Sequence, residues 1–131
     1  MNQAGLLLFA HGARDPQWAT PFHQVVQRLR QRCQPDMPVE LAFLEFLSPD
    51  ILSAGATLAA LGCTEVAVVP LFLGAGGHVR RDVPALMAAL QEKHPHVRWN
   101  LTPAAGETDA VVQALADSAL SLALSASPSL P

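Results

Sequence analysis

Residues 5–12 have the sequence Gly-Leu-Leu-Leu-Phe-Ala-His-Gly, and this stretch decides the fold. Residues 5–10 form a continuous apolar run that stops at His11 and Gly12. An apolar run without alternating polar residues is typical of a strand that is buried on both faces, as in parallel sheets. The sequence therefore predicts a central parallel strand over residues 5–10, with His11 directly after its end.

The same pattern of a strand followed by a helix repeats along the chain. Further strands are predicted at residues 39–46, 65–73 and 97–101, and helices at about 18–33, from 48–50 to 61, 80–93 and 109–124. This alternation predicts an α/β fold, a flavodoxin-like open parallel four-stranded sheet in the order 2-1-3-4 with helices on both faces. We expect the last strand at an edge, because it alternates apolar and polar residues. Pro70 predicts a bulge or an irregular end in the third strand, since it cannot donate a ladder hydrogen bond.

Length and composition limit the kind of protein. The 131 residues suit a single domain, predicted at 1–124, and residues 125–131 are predicted to be a disordered tail. Half of the residues are apolar and only 15% are charged, which predicts a well-formed core. The net charge of −3 argues against nucleic acid or an anionic membrane as a partner, because neither would meet an extended basic surface.

The compartment is inferred from the first residues and the cysteines. No signal peptide or membrane span is predicted at the N-terminus, where the apolar run is short and no basic residue precedes it. Cys33 and Cys63 lack a CxxC partner and are interpreted as small core residues. We therefore expect a cytoplasmic protein.

Three residues of metal-ligand type follow the predicted strands. His11 follows the first strand, Glu45 lies at the end of the second, and His78 follows the third. In open α/β sheets, ligands bind at the carboxyl ends of the strands, where the strand order reverses. A single histidine in such a loop is more often structural, and Glu45 could simply be solvated or cap the next helix. Two histidines and a glutamate on one edge favour a functional site.

Glycines and arginines surround His78. Gly76 and Gly77 precede a predicted helix, where backbone N–H groups can approach an anion, although the loop could equally be a plain turn. Arg14, Arg80 and Arg81 lie within three residues of His11 or His78. Guanidinium groups bind carboxylates and phosphates, so the sequence predicts an anionic ligand. The segment has neither the P-loop pattern nor the dinucleotide fingerprint, and ATP or NAD is therefore not expected.

Other polar residues are given structural interpretations. His94 and His96 precede the fourth strand, which places them at the opposite end of the sheet, in a solvated loop. Asp15, Asp50 and Asp82 are predicted to open helices, where capping explains them.

Three segments resemble a known family. They are LLLFAHGARDPQW (6–18), LAFLEFLSPDI (41–51) and VVPLFLGAGGHVRRDVPAL (68–86). Together they resemble the small CbiX-type sirohydrochlorin chelatases, which are class II chelatases of the CbiX/SirB family. The resemblance extends over about residues 5–107.

The resemblance implies a function and a site. Family members insert a divalent metal into sirohydrochlorin on routes to cobalamin, siroheme or related tetrapyrroles, and short members act as homodimers. It implies His11, His78 and Glu45 as catalytic and metal-binding residues, with Co²⁺ the first candidate and Ni²⁺ or Fe²⁺ as alternatives. The metal would be a substrate, and no organic cofactor is expected. The substrate's carboxylates would give Arg14, Arg80, Arg81 and the amides of Gly76 and Gly77 their partners.

Two alternatives remain open. His11 within Ala-His-Gly-Ala-Arg is similar to the nucleophile of histidine phosphatases, but those enzymes have an arginine where this chain has Ala10. A carrier that binds metal or tetrapyrrole without catalysis would use the same residues.

Overall fold

The structure is a computed structural model that describes residues 2–33, 36–74 and 76–126, with the backbone alone for His78. It contains a sheet of four parallel strands, β1 (Ala4–Ala10), β2 (Val39–Phe43), β3 (Glu65–Pro70) and β4 (Arg98–Leu101). The strand order is β2-β1-β3-β4, so the predicted fold is confirmed and β4 lies at an edge.

The helices lie on both faces of this sheet. They are α1 (Thr20–Arg32), α2 (Ile51–Ala60), α3 (Gly77–Lys93) and α4 (Asp109–Ala126), with short 3₁₀ helices at Pro16–Ala19 and Ala105–Glu107. Leu8 and Ala10 of β1 pack in the cluster that contains Val26 of α1. Leu7 and Phe9 pack in the cluster on the other face, which includes residues of α2 and α3. β1 is therefore buried on both faces, as its apolar run predicts.

Two strands end earlier than predicted. β2 ends at Phe43 and β3 at Pro70, whereas the apolar runs continue to residues 46 and 73. Leu44 and Phe72 still pack against the core after their strands have ended, so the apolar pattern overestimates strand length. α3 begins at Gly77, about three residues before its predicted start. Because β2 and β3 end early, a loop follows each of them at the carboxyl edge of the sheet.

Helix α4 differs from the other helices because none of its residues is buried. It contacts mainly the 3₁₀ helix Ala105–Glu107, and it extends two residues beyond its predicted end at 124. Its exposed apolar residues are Val112, Leu115, Leu120, Leu122 and Leu124. The rest of the predicted tail, 127–131, lies outside the described residues, and no described helix has the length and apolarity needed to span a membrane.

Candidate active site

The loops after β1 and β2 are joined backbone to backbone. The Leu44 N–H donates to the Ala10 carbonyl oxygen at 3.0 Å, and the Glu45 N–H donates to the His11 carbonyl oxygen at 3.0 Å. These bonds hold the two loops together directly after the strands end. Gly12 has a φ of 102°, and a Cβ there would overlap the carbonyl oxygen of Glu45. Only glycine fits this backbone contact, which places His11 beside Glu45.

The loop after β2 then reverses through a tight turn at Phe46. Phe46 has a φ of 67°, and the Leu47 N–H donates to the Glu45 carbonyl oxygen at 2.8 Å. This hydrogen bond across one residue with a positive φ describes a classic γ-turn, which is rare and strained. A bulky residue in this conformation costs of the order of 1–3 kcal/mol. The strain lies directly after Glu45.

The same loop ends at the cap of α2. The carboxylate of Asp50 accepts a hydrogen bond of 2.8 Å from the backbone N–H of Ser53, which confirms the predicted capping role. This backbone hydrogen bond is the main reason that the pKa of Asp50 lies below its ordinary value. The cap therefore fixes the far end of the Glu45 loop.

The imidazole of His11 is held by an aromatic residue of the loop after β3. Its ring stacks on Phe72 with centroids 4.3 Å apart and an angle of 28° between the planes. Phe72 is 5% exposed and meets Phe9 edge to face at 5.3 Å. His11 itself is exposed, so a buried aromatic pair supports an imidazole that solvent or a ligand can reach.

His11 and Glu45 line one cleft of about 430 Å³ with Leu44, Asp82, Ala85 and Leu86. The opposite wall of this cleft is therefore α3. The interpretation of Asp82 as a residue that opens a helix is wrong, because α3 begins five residues earlier and Asp82 lies in its second turn. Sequence analysis missed Asp82 as a cleft residue, although its position four residues after His78 places the two positions on one helix face.

His78 is the second residue of α3, and its backbone lies directly after the loop that follows β3. Because β3 pairs with β1, this loop and the His11 loop share the carboxyl edge of the sheet. Across the described residues, which exclude the His78 side chain, no three His, Cys, Asp or Glu side chains gather closely enough to hold a metal ion. His11 and Glu45 are thus brought together, and the participation of His78 stays a prediction.

The three arginines are placed differently. The guanidinium carbon of Arg14 lies 5.1 Å from the ring centroid of Phe46, beside Glu45. Arg80 lines a separate cleft of about 240 Å³ between α3 and the end of β4, which Glu107 also lines. Arg81 is exposed on α3. The structure therefore places Arg14 over the ring of Phe46, the residue after Glu45, and none of the three arginines is among the residues that line the cleft of His11.

Gly76 and Gly77 are exposed at the start of α3, where Gly76 is the N-cap. A Cβ at either position would meet no atom of the described residues within 4 Å. The first N–H groups of a helix have no partner within it, and they are available to an anion here. Packing therefore does not require glycine at positions 76 and 77, whereas it does at position 12.

Apart from Asp82, the residues with structural interpretations lie where the sequence predicts. Asp15 caps the first 3₁₀ helix through a 2.9 Å hydrogen bond from the Gln17 N–H. Cys63 is buried, which raises the pKa of its thiol, and Cys33 is half-buried, and both are free. A larger cleft, of about 540 Å³, is lined by His96 and Arg98 at the amino end of the sheet, far from His11. Size alone would therefore select the end of the sheet opposite His11 and Glu45.

Comparison with known proteins decides the family. The CbiX family model matches residues 5–122, which is most of the chain. This chain belongs to the CbiX family. The resemblance seen in the three sequence segments is therefore confirmed, and it extends into α4.

Relatives with curated names agree with this assignment. A sirohydrochlorin cobaltochelatase of Saccharolobus solfataricus is 36% identical over 83 residues, which are 63% of this chain and 62% of that protein. One from Priestia megaterium is 31% identical over 94 residues, 72% of this chain and 30% of the relative. The chain thus spans between about a third and two thirds of the length of the curated relatives it matches.

Solved structures show the same fold. A CbiX protein of Marinobacter aquaeolei VT8 matches with a TM-score of 0.79 and 27% identity, over 90% of this chain and 95% of that one. Bacillus subtilis SirB in complex with cobalt matches with a TM-score of 0.68 and 25% identity, over 77% of this chain but 43% of SirB. One copy of this fold therefore corresponds to less than half of the SirB chain.

Proposed function

We propose that this protein is a sirohydrochlorin chelatase, which inserts a divalent metal into the tetrapyrrole without ATP, with Co²⁺ as the first candidate and Ni²⁺ or Fe²⁺ as alternatives. The observation that carries the proposal is the single cleft that His11 and Glu45 share at the carboxyl edge of the sheet. Membership of the CbiX family supports it. Routes to cobalamin or siroheme would use the product.

The chemistry needs a loosely held metal and two proton acceptors. Insertion places one M²⁺ in the macrocycle and releases the protons of two pyrrole N–H groups. Imidazole and carboxylate are suitable ligands for Co²⁺, Ni²⁺ and Fe²⁺, and so few protein ligands leave coordination positions open for transfer. We assign His11 and Glu45 to metal delivery and proton acceptance, with His78 as a further ligand. The metal is a substrate, and no organic cofactor takes part.

The substrate's carboxylates need cationic partners near the cleft. Arg14 lies over the ring of Phe46, the residue after Glu45, and the amides of Gly76 and Gly77 lie at the start of α3. We assign these groups and Arg81 to carboxylate binding, since guanidinium and helix N-terminal amides both bind anions. Because Arg80 lines a different cleft with Glu107, we assign it no carboxylate at the His11 cleft.

We further propose that two copies form the working enzyme. This chain matches 43% of SirB, so a second copy would supply the half that SirB carries in its own chain. Helix α4 exposes an apolar surface that includes Leu115 and Leu122 and that the rest of the described chain does not bury. We place the second copy there, since exposed apolar patches are typical of protein contacts. The net charge of −3 and the free thiols suit a cytoplasmic enzyme without nucleic-acid or membrane partners.

Metal insertion under anaerobic conditions tests the proposal. Purified protein is mixed with sirohydrochlorin and Co²⁺, Ni²⁺ or Fe²⁺, and the visible spectrum is followed against a protein-free control. We expect insertion to be accelerated, and we expect His11→Ala and Glu45→Gln each to slow it by about 100-fold or more. His96→Ala, at the opposite end of the sheet, is the matched control and should retain the full rate.

Each contrary outcome has a distinct meaning. A rate equal to the protein-free control overturns the chelatase proposal, and stoichiometric binding without turnover identifies a carrier instead. Acceleration that survives His11→Ala and Glu45→Gln overturns the site assignment alone.

A further inference from the structure

We propose that Phe46 is a substrate-contacting residue, an aromatic wall against which the flat conjugated macrocycle packs beside Glu45. This inference rests on the proposed function, because it names a contact for a tetrapyrrole on the loop that carries Glu45. Phe46 follows Glu45 in the chain and is not one of the residues that line the His11 cleft. No motif in the sequence marks Phe46. The inference is based on three observations: the positive φ of Phe46, the exposure of its ring, and the contact of that ring with Arg14.

The backbone turns Phe46 outward while its neighbours turn inward. Leu44 packs against the core cluster that contains Phe9, and Leu47 packs against the cluster that contains Phe43. Phe46, between them, is 58% exposed and belongs to neither cluster. A large apolar ring in water is unfavourable, and here it is also attached to a strained backbone. The exposed ring and the strained backbone both lower stability, and they occur at one residue beside a candidate active site. This combination favours a role in ligand binding over a role in stabilising the fold.

The ring lies at the junction of the two fixed loops. It belongs to the loop after β2, whereas Arg14, whose guanidinium carbon lies 5.1 Å from the ring centroid, comes from the loop after β1. The contact thus lies across the same two loops that meet at Gly12 and Glu45. The ring supplies apolar contact for a conjugated system, and the guanidinium supplies a partner for a peripheral carboxylate. Sirohydrochlorin combines these two features in one ligand.

The positive φ gives a way to separate this role from a structural one. Glycine adopts a φ of 67° without strain, so Phe46→Gly removes the ring and relieves the turn. If the ring merely stabilised the loop, its removal would lower the stability. If the ring serves the ligand, Phe46→Gly should be as stable as the wild-type protein or more stable, and should bind the macrocycle less tightly.

The test measures sirohydrochlorin binding without metal, from the absorbance and fluorescence of the macrocycle. We expect Phe46→Gly and Phe46→Leu to weaken binding about tenfold or more, and Phe46→Tyr, which keeps the ring, to bind within about twofold of wild type. Phe22→Leu, which removes an aromatic ring that packs on Trp18 away from the cleft, is the matched control and should bind normally. Thermal unfolding of each variant accompanies the binding measurement.

Binding of Co²⁺ alone separates this inference from the proposed function. We expect Co²⁺ affinity to be unchanged in the Phe46 variants, because the ring holds no metal. Wild-type protein that fails to bind sirohydrochlorin overturns the proposed function. Wild-type binding that Phe46→Gly and Phe46→Leu match overturns the role of Phe46 alone, as does a loss of stability in Phe46→Gly that accounts for its weaker binding.

Discussion

The loops after β1 and β2 are held to each other by backbone hydrogen bonds, whereas the two glycines at the start of α3, Gly76 and Gly77, have open space beside them in the described part of the chain. Glycine is the only residue type that fits at position 12 against Glu45, but at Gly77 no atom of the described residues lies within 4 Å of the place where a Cβ would be. The first side fixes the backbones that carry His11 and Glu45. The second side leaves room along the start of α3. Rigid placement of reacting groups beside an open approach for a large ligand suits an enzyme with a wide substrate.

The largest effect is expected from Gly12→Ala. The substituted Cβ would overlap the Glu45 carbonyl oxygen at a φ of 102°, so the loops must separate. We expect the free energy of unfolding to fall by about 3 kcal/mol or more, with loss of metal insertion. Urea denaturation measures the first, and the insertion assay measures the second.

Gly77→Ala is the matched change on the open side. Alanine is favoured over glycine within a helix, so stability should stay equal or rise by about 1 kcal/mol. If the α3 amides approach the substrate, the KM for sirohydrochlorin should rise. Equal destabilisation by Gly12→Ala and Gly77→Ala would erase the distinction between the two sides.

A smaller effect is expected from Phe72→Leu, which removes the stack beneath His11. Loss of this contact and of the pair with Phe9 should lower the free energy of unfolding by about 1–3 kcal/mol. A freed imidazole should lower kcat for insertion about tenfold with little change in KM, because positioning rather than binding is lost. Phe22→Leu controls for the loss of an aromatic ring. A normal kcat in Phe72→Leu would show that β1 and β2 alone position His11.

The smallest effect is expected from Asp50→Ala, which removes the cap at the far end of the Glu45 loop. We expect a loss of about 1 kcal/mol at neutral pH. Because the pKa of Asp50 is lowered in the folded protein, its carboxylate stabilises the fold above its ordinary pKa of 3.8. That contribution is lost as the pH falls through the lowered value. Urea denaturation from pH 7 to pH 2 should show the difference between wild type and variant narrow below pH 4.

The sequence predicts the sheet and the edge that carries His11, Glu45 and His78. Apolar runs mark buried strands, and the topology then brings their carboxyl ends together. The strand ends were overestimated, because Leu44 and Phe72 stay apolar for packing after the ladder stops. A local pattern cannot separate burial in a strand from burial in the loop that follows it.

Other features depend on tertiary contacts that no local signal reveals. Position 46 adopts a positive φ although it is a phenylalanine, not the glycine or asparagine that would predict such a conformation. The stack of His11 on Phe72 joins residues of two different loops. Arg80 and Asp82 are two residues apart on α3 yet line separate clefts, since positions two apart do not share a helix face. The apolar residues of α4 predict a buried face, which the described chain does not provide.

The hydrogen bonds from Leu44 and Glu45 to the β1 side have a further consequence for exchange with solvent. Loop amides usually exchange their protons quickly, because small local openings expose them. These two amides bond to Ala10 and His11 directly after the β1–β2 ladder ends, so they should exchange more slowly than loop amides that lack such bonds. The backbone that carries Glu45 would then open less often than an unbonded loop, and local loosening of the surface would leave this part of the site in place.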